Sequence, residues 1–469
     1  MKASTHSEVQ QQKRDWQHIQ DTSIIIDHMS YTRLLILFLL ISILTPLSAQ
    51  QITSYKFSFG PAKEVPGYIK VEPSTKYSAK EGYGFDFGTV PFAIDRGGKK
   101  SLTSGFCTGD KPFFFSVTLP EGNYNIKVIT GDLKEAALTT VRVESRRLIF
   151  ERIKTDPGKF RTLTATINIR VPQISGTNEV VNRKPREQFK LDWDEKLTFE
   201  FSDKRPCVCA LEITRVIDAV TIFLAGNSTV VDQDDDPWAS WGQIFPRFLR
   251  EGIAVSNHAE SGLSLGSFLS SNRLKKVLSM MKPGDYLFIE FGHNDQKEKG
   301  PDDGAFKSYS ERMRLFINEF RNKGGIPVIV SPANRRSFGD DGKITNSLGD
   351  YPAAGRQVAE EMKVPFIDLN SMTKTLYESL GPEKSKTLFV IYPANTFPWE
   401  PKELNDNTHF NSYGAYELAK CVIEGIKKNN LGIKKYLIRG LPSFDPGKPD
   451  PFEEFSLPLS PHSPVVVIN

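Results

Sequence analysis

The chain has 469 residues, of which 39% are hydrophobic, 25% charged and 11% aromatic. This length exceeds one ordinary domain and predicts two folded units, and the composition excludes a globally disordered chain. The formal net charge is +4, which is compatible with an acidic polysaccharide as partner. It gives no support to nucleic-acid binding, for which a concentrated basic stripe is expected.

The N-terminal region carries the pattern of a secretory signal peptide. Arg33 is followed by an apolar run, LLILFLLISIL, that ends in small residues before Gln50. A membrane-spanning helix needs about 20 apolar residues, and Pro46 interrupts this run. We therefore predict a leader and signal peptide over residues 1–49, with cleavage after Ala49. The protein is expected to be exported, periplasmic or extracellular, with no membrane partner after cleavage.

Alternating apolar and polar residues recur through residues 51–215 and predict short strands. LTATINIRV, which begins at Leu163, has an apolar residue at every second position, as in a half-buried strand. The stretches FFFSVTL and YNIKVIT flank Pro-Glu-Gly-Asn, which predicts a hairpin. Repeated short strands of this kind predict an all-β antiparallel sandwich over 51–215.

The chain has four cysteines, which is too few for a disulfide scaffold. Cys207, Cys209, Leu211 and Ile213 occupy every second position, so these four side chains are predicted to share one strand face. Buried small side chains are favoured over a metal site, because this stretch supplies too few ligands. With no HExxH helix and no Gly-rich phosphate loop, the sequence supports neither a zinc protease nor a nucleotide-binding protein.

After the sandwich, the pattern changes to the continuous apolar runs VTIFLAG, DYLFIEFG, IPVIVSP and VPFIDL. Such runs are typical of parallel strands covered on both faces. Between two of them, Met313, Phe316, Ile317 and Phe320 keep the spacing of one helix face. The alternation predicts a doubly wound α/β domain over 219–435. In such sheets, sites form at the C-terminal ends of the strands.

The last segment, 440–469, is rich in Pro and Ser and predicts a tail that is extended over the surface or disordered. His462 falls in this tail, and three further histidines fall in the leader. His258, His293 and His409 therefore remain as candidates for a general base.

Asp406 and His409 lie three residues apart, ahead of a predicted helix capped by Asn411 or Ser412. In a turn, this spacing brings a carboxylate onto an imidazole, which orients the ring and stabilises its cation. An ordinary surface turn is the alternative for an isolated pair of this kind.

The run VTIFLAG ends in Gly226-Asn227-Ser228-Thr229. A serine at this point, where the next helix is expected to start, presents its hydroxyl at the mouth of the sheet beside main-chain N–H groups. This position suits a nucleophile, and an N-cap serine is the alternative. Val230 stands where G-x-S-x-G requires its second glycine, so the common α/β-hydrolase elbow is not supported.

The run DYLFIEFG leads into Gly292-His293-Asn294-Asp295. The Asn294 carboxamide is suited to donate a hydrogen bond to an oxyanion, and Gly292 leaves room for a substrate. His293 is the rival base, although its neighbours favour a place in the wall of the site. Gly262, in NHAESG, offers a backbone N–H with no side chain in the way, with an ordinary turn glycine as the alternative.

Taken in chain order over residues 219–435, four elements resemble the conserved blocks of the SGNH (GDSL-like) hydrolases: Ser228, Gly262, Gly292-x-Asn294-Asp295 and Asp406-x-x-His409. LAGNSTV, NHAESG and FGHND are similar to the rhamnogalacturonan acetylesterase branch of that superfamily, with Asn227 where many relatives carry Asp. The resemblance implies a three-layer α/β/α, flavodoxin-like fold with a mainly parallel sheet. It also implies a serine mechanism without metal or cofactor.

The resemblance implies a role for each matching residue. Ser228 is expected to be the nucleophile, His409 its base and Asp406 the group that orients His409. The N–H groups of Ser228 and Gly262, together with the Asn294 side chain, are expected to form the oxyanion hole.

Further residues are candidates for substrate contacts. Trp238 and Trp241, in DDDPWASWGQ, are placed to stack on sugar rings, with core packing as the alternative. Arg335 and Arg336 are candidates for binding a uronate carboxylate, with solvated arginines as the alternative. His293 is a further candidate for a substrate contact.

The N-terminal stretches YKFSFGPAKEVPGYIKV and GYGFDFG resemble the galactose-binding-like sandwich that precedes some of these esterases. Together, the two resemblances imply a carbohydrate esterase that removes O-acetyl groups from a plant cell-wall polysaccharide, such as rhamnogalacturonan or pectin. Its partner would be an acetylated polysaccharide or oligosaccharide. The alternatives are a GDSL-type lipase or thioesterase acting on other esters and a catalytically silent carbohydrate-binding protein.

Overall fold

The computed structural model describes residues 54–97 and 101–462, which belong to one compact unit, Thr53–Asn469. The predicted leader and signal peptide lie outside the described residues. Within these two ranges, no helix combines the length and the apolar character that crossing a membrane requires.

The first part of the described chain is built from strands. They form two five-stranded sheets, ordered β10-β7-β13-β1-β2 and β3-β6-β11-β8-β9, and a three-stranded sheet, β12-β5-β4. The strands are β1 Ser54–Phe59, β2 Ile69–Val71, β3 Tyr83–Asp86, β4 Phe92–Asp95, β5 Gly105–Thr108, β6 Phe113–Thr118, β7 Gly122–Asp132, β8 Ala137–Val143, β9 Arg147–Thr155, β10 Lys159–Ile169, β11 Lys196–Arg205, β12 Cys207–Val208 and β13 Ala210–Val216. Neighbouring strands of the five-stranded sheets are antiparallel except β1 and β2.

Side chains from the two five-stranded sheets meet in one aromatic core. Phe57 and Val128 come from the first sheet, and Phe115 and Phe199 come from the second. The rings of Phe57 and Phe115 pack edge to face with their centroids 5.1 Å apart. Burying each such ring contributes about 1.5 to 3 kcal/mol. The β-rich character predicted for this part of the chain is therefore confirmed.

The predicted hairpin is wrong. β6 pairs with β3 and β11, whereas β7 pairs with β10 and β13. The connection between them carries the chain from one sheet to the other, and the Tyr124 hydroxyl donates to the Pro120 carbonyl oxygen across it at 2.8 Å. An alternating pattern defines the buried face of a strand but leaves its partner open, and here both strands bury that face in the core between the sheets.

Cys207 and Cys209 are buried free thiols, and burial raises the pKa of Cys207 to about 12. The predicted face shared with Leu211 is wrong. The two cysteines pack with Phe106 and Ala137, whereas Leu211 belongs to the main core of the sandwich. The reason is that the alternation spans the end of β12 and the start of β13, which are separate strands.

The second part alternates strands and helices around a parallel sheet ordered β15-β14-β16-β17-β18. This confirms the parallel sheet predicted from the continuous apolar runs. The strands are β14 Val220–Gly226, β15 Ile253–Asn257, β16 Tyr286–Glu290, β17 Ile326–Val330, β18 Phe366–Ile367, β19 Phe389–Tyr392 and β20 Leu404–Phe410. The helices are α1 Trp241–Ile244, α2 Leu265–Ser270, α3 Arg273–Met280, α4 Ser310–Asn322, α5 Tyr351–Met362, α6 Leu369–Lys384 and α7 Ser412–Lys428.

Alternate residues of β14 contact different helices. Ile222 and Leu224 belong to a core that includes side chains of α1 and α7, whereas Phe223 and Ala225 pack with side chains of α3, α4 and α5. The face predicted for α4 is completely buried, which confirms it: Met313, Phe316, Ile317 and Phe320. β14 is thus held on both sides, and its C-terminal end has a defined position.

The chain beyond residue 440 follows the surface as far as residue 462, largely without regular secondary structure. Phe444 and Phe455 pack against the core shared by α1 and α7. The Ser460 N–H donates to Asp236 Oδ2 at 2.8 Å, and the Ser460 hydroxyl donates to Glu200 Oε2 at 2.7 Å. This segment therefore reaches the loop that follows β14.

Candidate active site

Ser228 lies on a tight turn directly after β14. The Val230 N–H donates to the Asn227 carbonyl oxygen at 3.0 Å and closes the turn. Gly226 is required here, because a Cβ at this position would lie 2.5 Å from Val230 Cγ2. The helix start predicted at Ser228 is wrong, since α1 begins only at Trp241. The hydroxyl is therefore presented by a turn.

A buried polar network holds this turn against β16. The Thr229 hydroxyl donates to Glu290 Oε1 at 2.8 Å, and the Trp241 indole N–H donates to Glu290 Oε2 at 2.5 Å. The Thr229 N–H donates to Asn227 Oδ1 at 3.1 Å. Burial raises the pKa of Glu290 to about 7, although the hydrogen bonds from Trp241 and Thr229 oppose this shift. The residue next to Ser228 is thus anchored to the end of the central strand.

Asp406 and His409 meet because β20 bulges. Phe410 pairs with Phe389 of β19, and the very next pair is Asp406 with Val390. Residues 407–409 therefore have no partner in the ladder. On a regular strand, side chains three residues apart point to opposite faces, but this bulge lets Asp406 and His409 face each other. The pair was predicted in a turn before a helix. It lies instead at the end of a strand, immediately before α7.

Ser228, His409 and Asp406 form a continuous hydrogen-bonded series. His409 Nε2 lies 2.8 Å from Ser228 Oγ, and His409 Nδ1 lies 2.6 Å from Asp406 Oδ2. The other carboxylate oxygen, Asp406 Oδ1, accepts the N–H groups of Thr408 at 2.8 Å and His409 at 3.0 Å. The carboxylate is thus held at both oxygens.

Electrostatics favour one protonation pattern in this series. Burial raises the pKa of Asp406, but the hydrogen bonds from the His409 imidazole and from two backbone N–H groups outweigh it and leave the pKa below its usual value. An ionised Asp406 keeps a proton on His409 Nδ1. The lone pair of Nε2 is then directed at the Ser228 hydroxyl, as removal of its proton requires.

Ser228 and His409 open into a cavity of about 600 Å³ that is also lined by Gly262 and Asn294. The Asn294 Nδ2 donates to the Leu263 carbonyl oxygen at 3.0 Å, and Asn294 Oδ1 accepts from Lys297 Nζ at 2.8 Å. These two bonds set the orientation of the amide and leave its second N–H available. The three groups predicted for an oxyanion hole are therefore at one cavity.

Gly262 has a φ of +78°, a left-handed conformation that favours glycine. A Cβ at this position would lie 3.0 Å from Lys184 Nζ. Within the described chain, the N–H groups of Gly262 and Ser228 donate to no protein acceptor. Both therefore remain available to a ligand.

A second cavity, of about 390 Å³, adjoins the first at Arg186, Ser261 and His409. Trp238 lines it, as predicted for a residue that contacts substrate, together with Trp399. The first and second cavities together form one cleft that passes His409.

Residues that the sequence did not single out also build the second cavity. The Trp399 ring stacks on the imidazole of His462, with centroids 5.1 Å apart and planes 8° apart. His462 Nδ1 lies 2.9 Å from Asp235 Oδ1. His462 was assigned to the tail because nothing in its local sequence indicates that the tail returns to the cleft.

Trp241 does not contact substrate. Its side chain is fully buried, and its indole N–H is used by Glu290. The core-packing alternative is therefore the correct one for Trp241, and the stacking prediction for it is wrong. Trp238 and Trp241 are separated by two residues, and the chain turns into α1 between them, so one faces the cleft and the other the core.

The two other candidate bases are buried and do not contact Ser228. His258 Nε2 lies 2.9 Å from Ser256 Oγ, and burial holds the pKa of His258 well below its usual value. His293 is only 4% exposed and lines neither cavity. The pKa of His293 is lowered to about 3, mainly by burial and to a smaller extent by the positive charge of Arg335. Its predicted substrate contact is therefore wrong, because the ring packs inside the protein.

Arg335 and Arg336 are used by the fold and line neither cavity. Arg335 donates to the carbonyl oxygens of Ser347 at 3.2 Å and His293 at 3.4 Å. Arg336 donates to Asn407 Oδ1 at 2.7 Å and so supports the bulge of β20. The prediction of a uronate contact at these arginines is wrong, because neither guanidinium lines the cleft that passes His409.

Comparisons with known proteins agree with this geometry. The GDSL-like lipase/acylhydrolase family model matches residues 191–415. The rhamnogalacturonan acetylesterase RhgT of Bacillus subtilis (strain 168) is 44% identical over 221 residues, which cover 47% of this chain and 94% of RhgT. The chain therefore belongs to the GDSL-like lipase/acylhydrolase family, and it is an esterase.

Similarity extends beyond the hydrolase region. Residues 55–149 match the beta-agarase/YXIM esterase-like, galactose-binding domain-like model. The uncharacterized esterase YxiM of Bacillus subtilis (strain 168) is 28% identical over 393 residues, covering 80% of this chain and 91% of YxiM. The probable rhamnogalacturonan acetylesterase YesY of the same organism is 34% identical over 221 residues, covering 46% of this chain and 97% of YesY.

Proposed function

We propose that this esterase removes O-acetyl groups from a plant cell-wall polysaccharide, with rhamnogalacturonan or pectin as the substrate class, through an acyl-enzyme on Ser228. The observation that carries the proposal is the 2.8 Å contact between Ser228 Oγ and His409 Nε2, with Asp406 behind the imidazole, at the edge of a cavity. Two relatives whose names include rhamnogalacturonan acetylesterase, at 44% and 34% identity, support the substrate class.

The geometry supports a two-step reaction. His409 Nε2 takes the Ser228 proton while Oγ attacks the acetyl carbonyl carbon. The resulting oxyanion is held by the N–H groups of Ser228 and Gly262 and by Asn294 Nδ2, each worth about 3 kcal/mol of barrier. The bond to the sugar oxygen then breaks, and His409 returns the proton to that oxygen. Water repeats the attack on the acyl-enzyme and releases acetate.

The shape and lining of the cleft favour a glycan over a lipid. Burial of a long acyl chain is favoured by a channel of apolar side chains, whereas most residues that line the first cavity are charged or polar. The second cavity carries Trp238 and Trp399, whose rings are suited to stacking on sugars. The cleft therefore suits a small acyl group on a polar, extended alcohol.

The test is acetate release from acetylated rhamnogalacturonan, compared with hydrolysis of 4-nitrophenyl acetate and of a long-chain 4-nitrophenyl ester. We expect the parent protein to release acetate and Ser228→Ala to lose roughly 10⁴-fold or more in kcat. Ser270→Ala is the matched control, because Ser270 is exposed on α2 and lines neither cavity.

The alternatives have distinct outcomes in the same assay. Hydrolysis confined to the long-chain ester would favour a lipase. Binding of the glycan with no hydrolysis of any ester would favour a carbohydrate-binding protein. Full activity of Ser228→Ala would refute the serine mechanism itself.

We also propose that the protein is exported. The proposal is supported by Arg33, the apolar run that follows it and the small residues that end at Ala49. N-terminal sequencing of the protein from the extracytoplasmic fraction is expected to begin at Gln50. A form found only inside the cell with residues 1–49 intact would refute it.

A further inference from the structure

Three cationic side chains line the cavity that holds Ser228 and His409. They are Lys184, Arg186 and Lys297, here called the basic wall. Among the described residues, no carboxylate lines this cavity. The ester of a bound ligand would therefore lie beside three cationic side chains.

Two members of the basic wall come from outside the hydrolase region. Lys184 and Arg186 lie in the segment between β10 and β11, at the short 3₁₀ helix Pro185–Phe189. The GDSL-like family match begins only at residue 191. Lys184 and Arg186 are thus added to the hydrolase site by the connection from the β-rich part of the chain, whereas Lys297 belongs to the hydrolase region itself.

This connection is held rigidly. Arg273 of α3 donates to both carboxylate oxygens of Glu187 at 2.6 Å, and both side chains are fully buried. Glu187 Oε2 in turn accepts the Lys184 N–H at 2.7 Å. Both contacts come from Arg273 Nη2, and this buried ion pair fixes the backbone from which Lys184 and Arg186 project.

The wall has hydrogen-bonding capacity left. Lys184 Nζ donates to the Ser261 carbonyl oxygen at 2.6 Å, and Lys297 Nζ donates to Asn294 Oδ1 at 2.8 Å. An ammonium has three N–H donors, so two remain on each lysine. Arg186 contacts Glu260, but Glu260 also pairs with Lys190 at 3.1 Å, so its single charge is shared.

The other half of the cleft has the opposite charge. Asp234, Asp235 and Glu400 line the second cavity, beyond Arg186 and His409. An anionic group on a ligand is repelled there and attracted to the basic wall. The charge pattern therefore orients a ligand that carries a carboxylate close to its ester.

We propose that the basic wall binds a carboxylate of the glycan, on the acetylated sugar or its direct neighbour, and makes this esterase selective for acetylated glycans that contain uronates. The inference rests on the proposed function and adds residues that determine specificity. The basic wall takes the role of binding a uronate carboxylate that the sequence analysis gave to Arg335 and Arg336.

The test uses two substrates that differ in the charge of their uronates, with acetate release as the readout so that hydrolysis of a methyl ester is not counted. One is an acetylated oligosaccharide of alternating rhamnose and galacturonate with free carboxylates, and the other is the same oligosaccharide with its carboxylates methyl-esterified. We expect the parent protein to have a higher kcat/KM on the free acid. Added NaCl should reduce this preference, because salt screens exposed charges.

The variants test the wall directly. Lys184→Gln/Arg186→Gln is expected to lower kcat/KM on the free acid about tenfold, mainly through KM, and to bring the ratio of the two substrates close to one. Lys184→Arg/Arg186→Lys keeps both charges and should keep the preference. Lys299→Gln removes an exposed charge that lines neither cavity and serves as the control.

The outcomes separate this inference from the proposed function. Equal kcat/KM on both substrates in the parent protein would overturn the inference alone, since deacetylation itself would still occur. A preference that persists in the folded glutamine variant, or that is lost equally in the charge-retaining variant, would also overturn it. Failure to deacetylate either substrate would overturn the proposed function and the selectivity together.

Discussion

Replacing Asp406 by Asn is expected to reverse the proton pattern of the site with little change in shape. Asp406 Oδ1 accepts the N–H groups of Thr408 and His409, so in the variant the carboxamide oxygen must take this place. Its NH₂ group then faces His409 Nδ1 at the position of Oδ2, which lies 2.6 Å away. Nδ1 has to accept this hydrogen bond, so the imidazole proton moves to Nε2. His409 then donates to Ser228 and can no longer take its proton.

The expected loss in kcat is about 10⁴-fold, or about 5 kcal/mol of barrier, because the wrong tautomer removes the base while the rest of the site remains. KM should change little, since Asp406 acts through His409. The variant should also remain folded, because both backbone N–H groups keep an acceptor.

The assay is hydrolysis of 4-nitrophenyl acetate, with thermal unfolding measured in parallel. Asp340→Asn makes the same chemical change at an exposed position and should match the parent protein. If folded Asp406→Asn retains kcat within about tenfold of the parent, the tautomer argument fails. The role of Asp406 would then be structural.

Three further predictions follow from the site. Asn294→Ala removes one oxyanion donor and should lower kcat about a hundredfold or more with a small effect on KM, whereas an unchanged kcat would exclude this role. Glu290, with its pKa raised from 4.5 to about 7, binds its proton more tightly in the folded state, so stability should fall by about 3 kcal/mol as pH rises through this range. In urea unfolding, Glu290→Gln should show a smaller fall than the parent protein, because Asp194 and Asp295, whose pKa values burial raises to about 6, still contribute. Glu319→Gln should match the parent, and an equal fall in Glu290→Gln and the parent would contradict the argument. Trp241→Phe loses the hydrogen bond to Glu290 and should cost about 1 to 3 kcal/mol in urea unfolding, while a raised KM for the glycan at unchanged stability would restore the stacking interpretation.

Local sequence patterns were sufficient to predict the strands that position the active site. The continuous apolar runs indicated the parallel strands, because strands covered on both faces need apolar residues throughout. Ser228 and Asn294 could be found because polar residues directly after such strands lie at the same edge of the sheet. The turn at Ser228 could not be separated from a helix start, since the bonds from Thr229 and Trp241 to Glu290 join distant segments.

Strand pairing and side-chain environment were decided by the tertiary structure. The pattern of β6 and β7 indicated two adjacent strands, yet each pairs within a different sheet. Trp238 and Trp241 are the same residue type three positions apart, and only packing determines which one faces the cleft. The β20 bulge likewise depends on β19, whose pairing brings Asp406 and His409 together across an otherwise unfavourable spacing.

By itself, the amino-acid sequence indicated the parallel strands, because continuous apolar runs depend on local composition. It also offered Ser228, His409 and Asp406 as candidates, and their expected roles came from the resemblance to the SGNH (GDSL-like) hydrolases. Three further residues of the cleft wall were placed there only by the tertiary structure. Lys184, Trp399 and His462 come from segments far apart along the chain, and each is brought to His409 by contacts with other parts of the fold. Long-range contacts of this kind depend on the packing of the whole chain, and no spacing within one segment encodes them.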